Sequence, residues 1–462
     1  MTKTHPWMAS STPDAKAEML DAIGVPDVET LFSQIPAEHR FDGPFDLPPQ
    51  LASEVALSRH LDDMMAKNVA ARPGRSFLGA GAWPHYVPAI CDEVANRYEW
   101  QTSVFGSPTS DHGRNQAWFE FCSQIGALVE LDFVGLPVYS WGCAAGHAIR
   151  MASRMTGRRR VLVPAVMDPQ RLSVIRNYCE PPEMARHIEV VEVAVGADGA
   201  LDRDDLAAKL GPDVAALYVE TPSYHGVIDP DPGALCRAAT LAGAEAIVGV
   251  DPLSLGLLAA PGGYGATIAV GPTQPMGVHM NAGGGVGGFI ASPDEVRYAR
   301  EYNTLNISIT DTVAEGEFGF GLSLFHQSSY GMRDEGKDWT GNSVYLWALA
   351  GAAYMAAMGP AGFEEVGRLI MARSRRAMAA IDALPGASVD LSRTCFKEFV
   401  VRYEGVTARA VDDALRARGI FGGKVVTGEP GIAGEAALYC VTEIHTEADI
   451  DRLADVLKEI LR

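Results

Sequence analysis

"VAALYVETPSYHGVIDPDPGALCRAATLAGAEAIVGVD", residues 214–251, decides the fold. Two short apolar runs, "VAALYVET" and "AIVGVD", flank one helical stretch, "DPGALCRAATLAG". Neither run alternates apolar with polar residues, so each strand is expected to be buried on both faces. Strands of that kind, spaced by single helices, belong to a mostly parallel sheet covered by helices.

The same alternation extends outward from about residue 120 to 292. "RVLVPAV" (160–166), "IEVVEVAV" (188–195), "TIAVG" (267–271) and "GGFIAS" (287–292) are further strands, with "DPQRLSVIRNY" (168–178) and "DRDDLAAKLG" (202–211) as helices between them. The class is therefore α/β, and ligands of such sheets collect at the carboxyl ends of the strands.

The flanks differ. "TPDAKAEMLDAIG" (12–24) opens on Thr12 as N-cap with Pro13 at the first helical position, and Met19, Leu20 and Ile23 share one face. A short helix is expected over "DVETLFSQI" (27–35), before prolines break the pattern. This helical arm, residues 1–70, cannot bury its apolar face alone and is expected to drape over another domain or subunit. After the large domain, 71–325, come linking helices and a small C-terminal α+β domain, 326–462. That domain closes on a helix capped at Thr446 and Asp449, with Ile450, Leu453, Leu457 and Ile460 as its apolar stripe.

Composition excludes several functions. The 462 residues carry 38 basic against 58 acidic side chains, a net charge of −20, and the longest basic run is "GRRR" (157–160), which makes nucleic acid and anionic membranes poor partners. "WALAGAAYMAAMG" (347–359) is shorter than the roughly 18 residues a membrane span needs and reads as a buried helix. The start lacks a secretory h-region, and the seven cysteines are scattered with no C-x-x-C pair. Reduced thiols, a cytoplasmic protein and no metal site are expected.

Three stretches can carry chemistry. Asp251 ends the apolar run "AIVGV" and either caps the next turn or faces a ligand. Gly142, Cys143, Ala144, Ala145 and Gly146 open a helix, so their bare N–H groups either bind an anion or permit close helix packing. In "VGPTQPMGVHMNAGGG" (270–285) the strand-end position where many α/β enzymes keep a catalytic lysine holds Gln274. The following "NAGGGVGG" precedes its strand and is a turn, not a dinucleotide fingerprint.

"SFLGAGAWPHYVPA" (76–89), "DPLSLGLLAAPGGYGA" (251–266), "GIFGGK" (419–424) and "YCVTEIHTEADIDRLADVLKEI" (439–460) resemble the alpha, or N-terminal-type, subunit of the glycine cleavage system P-protein, the decarboxylating glycine dehydrogenase. "EMLDAIGV" and "ETLFSQIP" resemble its N-terminal arm. The resemblance implies a fold-type-I pyridoxal-phosphate transferase architecture in which the beta subunit carries the Schiff-base lysine. It implies a heterotetramer of two alpha and two beta chains, and transfer of glycine's aminomethyl group, after loss of CO2, to the lipoyl H-protein. No catalytic residue is then expected in this chain, which should be inert alone. Gly79, Gly81, Trp83, His85 and Tyr86 match the loop implied to lie at the shared active site. Asp251 matches the partner of the cofactor's pyridine nitrogen. With Gly142, Cys143, Ala144 and Gln274 it offers at most noncovalent cofactor binding.

The sequence departs from the family pattern at "SVFGSPTSDHGRN" (103–115), at "EGKDWTGNS" (335–343) and at Asp168, which replaces a histidine at a ring-stacking position. These departures admit a paralogous subunit for another amino acid. A non-catalytic scaffold or regulatory partner is a further reading. So is a complete enzyme using Lys337 or Lys424.

Overall fold

The computed structural model describes residues 4–5, 7–41, 43–49, 51, 53–69, 73–100, 108–184, 186–281, 284–323, 336–338, 340 and 344–462, with 108–113 described in backbone only. Of the two altered segments, 103–107, 335, 339 and 341–343 lie outside the described residues, as do 282–283 of the glycine-rich turn. The chain divides into two compact units, Met1–Ala70 and Ala71–Arg462.

In the second unit the strands are β1 (Phe133–Val134), β2 (Arg160–Pro164), β3 (Glu189–Val193), β4 (Val214–Glu220), β5 (Glu245–Gly249), β6 (Ile268–Pro272) and β7 (Gly288–Ser292). They form one seven-stranded sheet in the order β1-β7-β6-β5-β4-β2-β3. Only β7 runs against the others. Every residue of β4, β5, β6 and β7 is buried, as strands covered on both faces must be. The order reverses at β2, since the chain goes first to β3 on one side and then to β4 on the other. That reversal opens a crevice beyond the carboxyl ends of β2 and β4.

A two-stranded hairpin, β8 (Asn306–Asp311) with β9 (Phe318–Ser323), was not apparent in the sequence and stands outside both larger sheets. The second sheet is antiparallel, β10 (Ala387–Val389), β11 (Glu398–Tyr403), β12 (Lys424–Val425) and β13 (Glu435–Cys440) in the order β10-β11-β13-β12. Its closing helix, Glu447–Ile460, has the expected reciprocal cap between Thr446 and Asp449, and buries Ile450, Leu453 and Leu457.

The helix Tyr345–Asp382 links the two sheets and bends at Gly359, whose φ of 56° and ψ of −178° fall outside the helix, just before Pro360. By length and composition it is the one described helix apolar enough to cross a membrane. Here Tyr345, Leu349, Tyr354, Phe363, Ile370 and Ile381 are buried in the protein's own core.

The first unit contains helices Pro13–Ile23 and Glu54–Met65. Pro13 starts the first, and Gly24 ends it in the left-handed region at φ 79°. The stretch expected to form a second helix gives only the 3-10 turn Glu29–Phe32. None of its described residues is buried within the unit, so Met19, Ile23, Leu61 and Met65 all face outward.

The two sheets meet where Gly226 crosses beneath β11. Its φ is +83°, and a Cβ there would lie 1.8 Å from the carbonyl oxygen of Glu398, so neither the backbone angle nor the space admits a side chain. Gly226→Ala should therefore destabilise the second unit by about 3 kcal/mol, read as a lower urea midpoint. An unchanged midpoint would mean that this junction is not tight.

Candidate functional site

The carboxyl ends of four parallel strands deliver Asp168 after β2, Glu220 on β4, Asp251 after β5 and Gln274 after β6. Beyond them lies a cleft of about 360 Å3 whose wall includes Gly79, Gly81, Trp83, Gly142, Gln274 and Lys424.

Gln274 is 2% exposed. Its Nε2 donates to the Val278 carbonyl at 3.4 Å, and its Oε1 has no hydrogen-bond partner. An amide nitrogen is delocalised into its carbonyl and is not a nucleophile, so this position cannot form a covalent bond to an aldehyde. Of the two lysines singled out in the sequence, Lys424 reaches the cleft wall, but its Nζ is engaged by Tyr224 Oη at 2.8 Å and Glu429 at 3.0 Å. Lys337 is not on that wall, and it binds the Arg300 carbonyl and Glu301.

Gly142 and Gly146 of the helix Trp141–Thr156 face a neighbouring helix, while Ser140, Trp141 and Gly142 also line the cleft. A Cβ on Gly142 would lie 3.1 Å from Val174, and one on Gly146 would lie 2.9 Å from Tyr178, both on the helix Pro169–Cys179. Ser140 caps the helix by accepting from the Cys143 N–H at 3.2 Å, and the Ala144 N–H bonds to the Ser140 carbonyl at 2.9 Å. Asp168 is likewise a cap, accepting from the N–H groups of Gln170 at 2.7 Å and Arg171 at 3.2 Å. Arg171 makes two bonds to the buried Glu220, at 2.5 and 3.0 Å, and its guanidinium lies 3.8 Å from the centre of the Trp141 ring.

The residue that organises the centre of the site is one the sequence did not single out, Lys397. Its Nζ lies 2.6 Å from Asp251 Oδ2, with both side chains no more than 5% exposed. The approach is off the line of a hydrogen bond, so the attraction is that of opposite charges in contact. The same Nζ sits 3.4 Å from the centre of the Trp83 ring and 3.1 Å from His85 Nε2. His85 Nδ1 is 2.8 Å from Glu443 Oε2, and the Tyr86 N–H donates to Glu443 Oε1 at 2.7 Å. With Lys397 donating to Nε2, His85 carries its proton on Nδ1 and donates it to Glu443. A line of four side chains thus runs Asp251–Lys397–His85–Glu443. A second carboxylate, Glu398, accepts from the Ala80 N–H at 2.6 Å.

The two glutamates respond to this setting in opposite ways. Burial opposes the charge on Glu443, but His85 and the Tyr86 N–H outweigh it and hold the carboxyl down to about 2. For Glu398 burial wins over Lys397 and the Ala80 N–H, and the carboxyl is pushed up to about 7.

The family profile of the glycine cleavage system P-protein matches residues 7–457. This chain belongs to that family. It is 31% identical to a probable glycine dehydrogenase (decarboxylating) subunit 1 of Staphylothermus marinus, across 99% of this chain and 100% of the relative. The corresponding figures for the protein of that name from Metallosphaera sedula are 30%, 99% and 99%. A solved glycine decarboxylase (P-protein) of the glycine cleavage system, in inhibitor-bound form, superimposes with a TM-score of 0.86 at 32% identity, covering 97% of this chain and 99% of that one. The sphingosine-1-phosphate lyase of Burkholderia pseudomallei, at 16% identity and a TM-score of 0.64 over 92% of this chain and 94% of its own, shares the fold alone. The architecture is that of the fold-type-I pyridoxal-phosphate-dependent enzymes.

The P-protein family and its fold imply pyridoxal phosphate, and the residues present here do not fit it. Gln274 supplies no amine. Asp251 already faces a cation. Beside Asp251 and Lys397 themselves about 20 Å3 is open, room for about one water, and the 360 Å3 cleft that adjoins it at Trp83, Trp141 and Arg171 has neither residue on its wall. Among the described residues no cluster of three metal-ligating side chains exists.

Because the Glu443 carboxyl is lowered from 4.5 to about 2, its contribution to stability is present above pH 4.5 and is lost as the pH falls toward 2. Glu443→Gln should lose roughly 1–3 kcal/mol at neutral pH, the worth of hydrogen bonds to a buried charged group. The gap to the wild type should close on acidification, as followed by denaturation midpoints across pH. A gap independent of pH would place Glu443's contribution in packing instead.

Proposed function

We propose that this chain is the lysine-free subunit of a glycine decarboxylase, working with a beta-type P-protein subunit that holds pyridoxal phosphate through its own lysine. The assembly then decarboxylates glycine and passes the aminomethyl group to the lipoyl H-protein, with two alpha and two beta chains in the complex. The observation that carries this reading is Gln274, buried at the strand end where the amine would stand in a chain otherwise matched to the family from end to end. The name subunit 1 borne by the relatives supports a divided enzyme.

In this reading the loop Gly79–Tyr86 is what the chain contributes to the shared active site. Its backbone is held by Glu398 at Ala80 and by Glu443 at Tyr86, while the Tyr86 side chain stays 64% exposed. A loop fixed from within and open outward is suited to present a side chain across an interface.

Purified protein treated with pyridoxal phosphate and then borohydride should show no cofactor adduct within residues 270–285, and glycine–CO2 exchange should appear only after a lysine-bearing P-protein chain is added. Exchange by this chain alone, with an adduct on Lys337 or Lys424, would make it a complete enzyme and overturn the subunit reading.

The outward apolar faces of the first unit are proposed to clasp that second subunit. Removing residues 1–70 should lower the mass of the mixed complex in light scattering, whereas a complex of unchanged mass would assign the arm another role.

A further inference from the structure

We propose that Lys397 is a built-in substitute for a cofactor's cationic ring: it occupies Asp251, closes the site to pyridoxal phosphate even as a noncovalent ligand, and through His85 fixes the loop Gly79–Tyr86.

The case rests on chemical equivalence. A protonated pyridine ring needs a carboxylate within hydrogen-bond distance of its nitrogen and an aromatic or apolar face against its plane. Lys397 presents one positive charge 2.6 Å from Asp251 Oδ2, the distance at which a protonated ring nitrogen would stand. It takes the face of Trp83 at 3.4 Å, and Arg171 takes the face of Trp141 at 3.8 Å. The two tryptophan faces beside Asp251 are thus covered by cations from the same chain. A ligand entering here must displace a cation that is 3% exposed from a carboxylate that is 5% exposed, with space for about one water to receive it.

The same ammonium group does a second task. Its contact with His85 Nε2 leaves Nδ1 as the donor to Glu443, which also holds the Tyr86 N–H. Lys397 is therefore a positioning residue for this loop. A Gln274 site without an amine would only prevent covalent attachment, whereas the ion pair removes the noncovalent route as well. Gln274 and Lys397 thus have separate consequences.

The proposal rests on contacts within this chain and is tested without any partner, so it can fail while the subunit reading stands. Four proteins are compared: wild type, Gln274→Lys, Lys397→Ala and the double variant. Each is mixed with pyridoxal phosphate, reduced with borohydride and analysed by peptide mass, with circular dichroism to confirm folding. Adduct at position 274 is expected in quantity only in the double variant, roughly tenfold or more above Gln274→Lys alone, since freeing Asp251 leaves a buried carboxylate in need of a cation. Lys397→Ala alone should bind the cofactor noncovalently, seen as saturable quenching of tryptophan fluorescence, and hydrogen exchange in residues 79–86 should quicken. Equal adduct in Gln274→Lys and the double variant would overturn the proposal. So would saturable quenching in the wild type. The wild-type reading uses a protein that keeps Lys397, so the test holds even where its removal prevents folding.

Discussion

A lysine ammonium and an aspartate carboxylate, both withdrawn from water, must stay together or each loses its compensation. That constraint binds Lys397, at the entry to the antiparallel sheet, to Asp251, at the end of the parallel one. The relative placement of the two sheets is therefore set at one point by charge as well as by apolar packing. Trp83 and His85 meet the same ammonium, with Glu443 beyond His85, so the loop that carries the first two inherits its position from the pair. Gly226, which tolerates no side chain beneath Glu398, lets the sheets approach closely enough for the pair to form.

The pair also removes the cost of burying Asp251. A carboxylate buried at a strand end and left alone would carry a large desolvation penalty, and evolution has two ways to remove it: delete the acid or supply a cation. Here the acid stays and the cation comes from a neighbouring element. Arg171 and Glu220 repeat the solution one strand away, the guanidinium lying flat on Trp141. The interior of the cleft is thus charge-balanced by the chain itself.

What the sequence disclosed and what it hid divide along physical lines. Strands β4 and β5 were legible in "VAALYVET" and "AIVGVD", because burial on both faces writes an unbroken apolar run. The capping box at Thr446 was legible because its pattern is local. The hairpin of β8 and β9 was passed over although Ile307 and Ile309, and Phe318, Phe320 and Leu322, alternate with small or polar residues; the strands are short, β9 holds two glycines, and only Asn306 is fully buried. Lys397 was hidden for another reason. In "KEFVVRY" it reads as the polar entry to a strand, and only the chain's return from 146 positions earlier, at Asp251, makes it buried and paired. The glycines at 142 and 146 admitted both an anion site and close packing. Val174 and Tyr178, on a helix that follows in the chain, are what press against them.

Asp168 shows how a single replacement can redirect a site. The resemblance to the family implies a histidine there, a flat ring able to lie against another ring. An aspartate has no such face, and at the start of the helix Pro169–Cys179 its oxygen turns back to the N–H groups of Gln170 and Arg171. Capping fixes the first turn, and the first turn carries Arg171, whose side chain then reaches Glu220 and Trp141. Asp168 thus offers no surface for a flat ligand and helps to seat a cation on the nearest aromatic face. Both effects act in the same direction as Lys397 does at Asp251: interactions that a cofactor would make are satisfied within the chain. What remains outward is the fixed loop ending at Tyr86, whose side chain is 64% exposed.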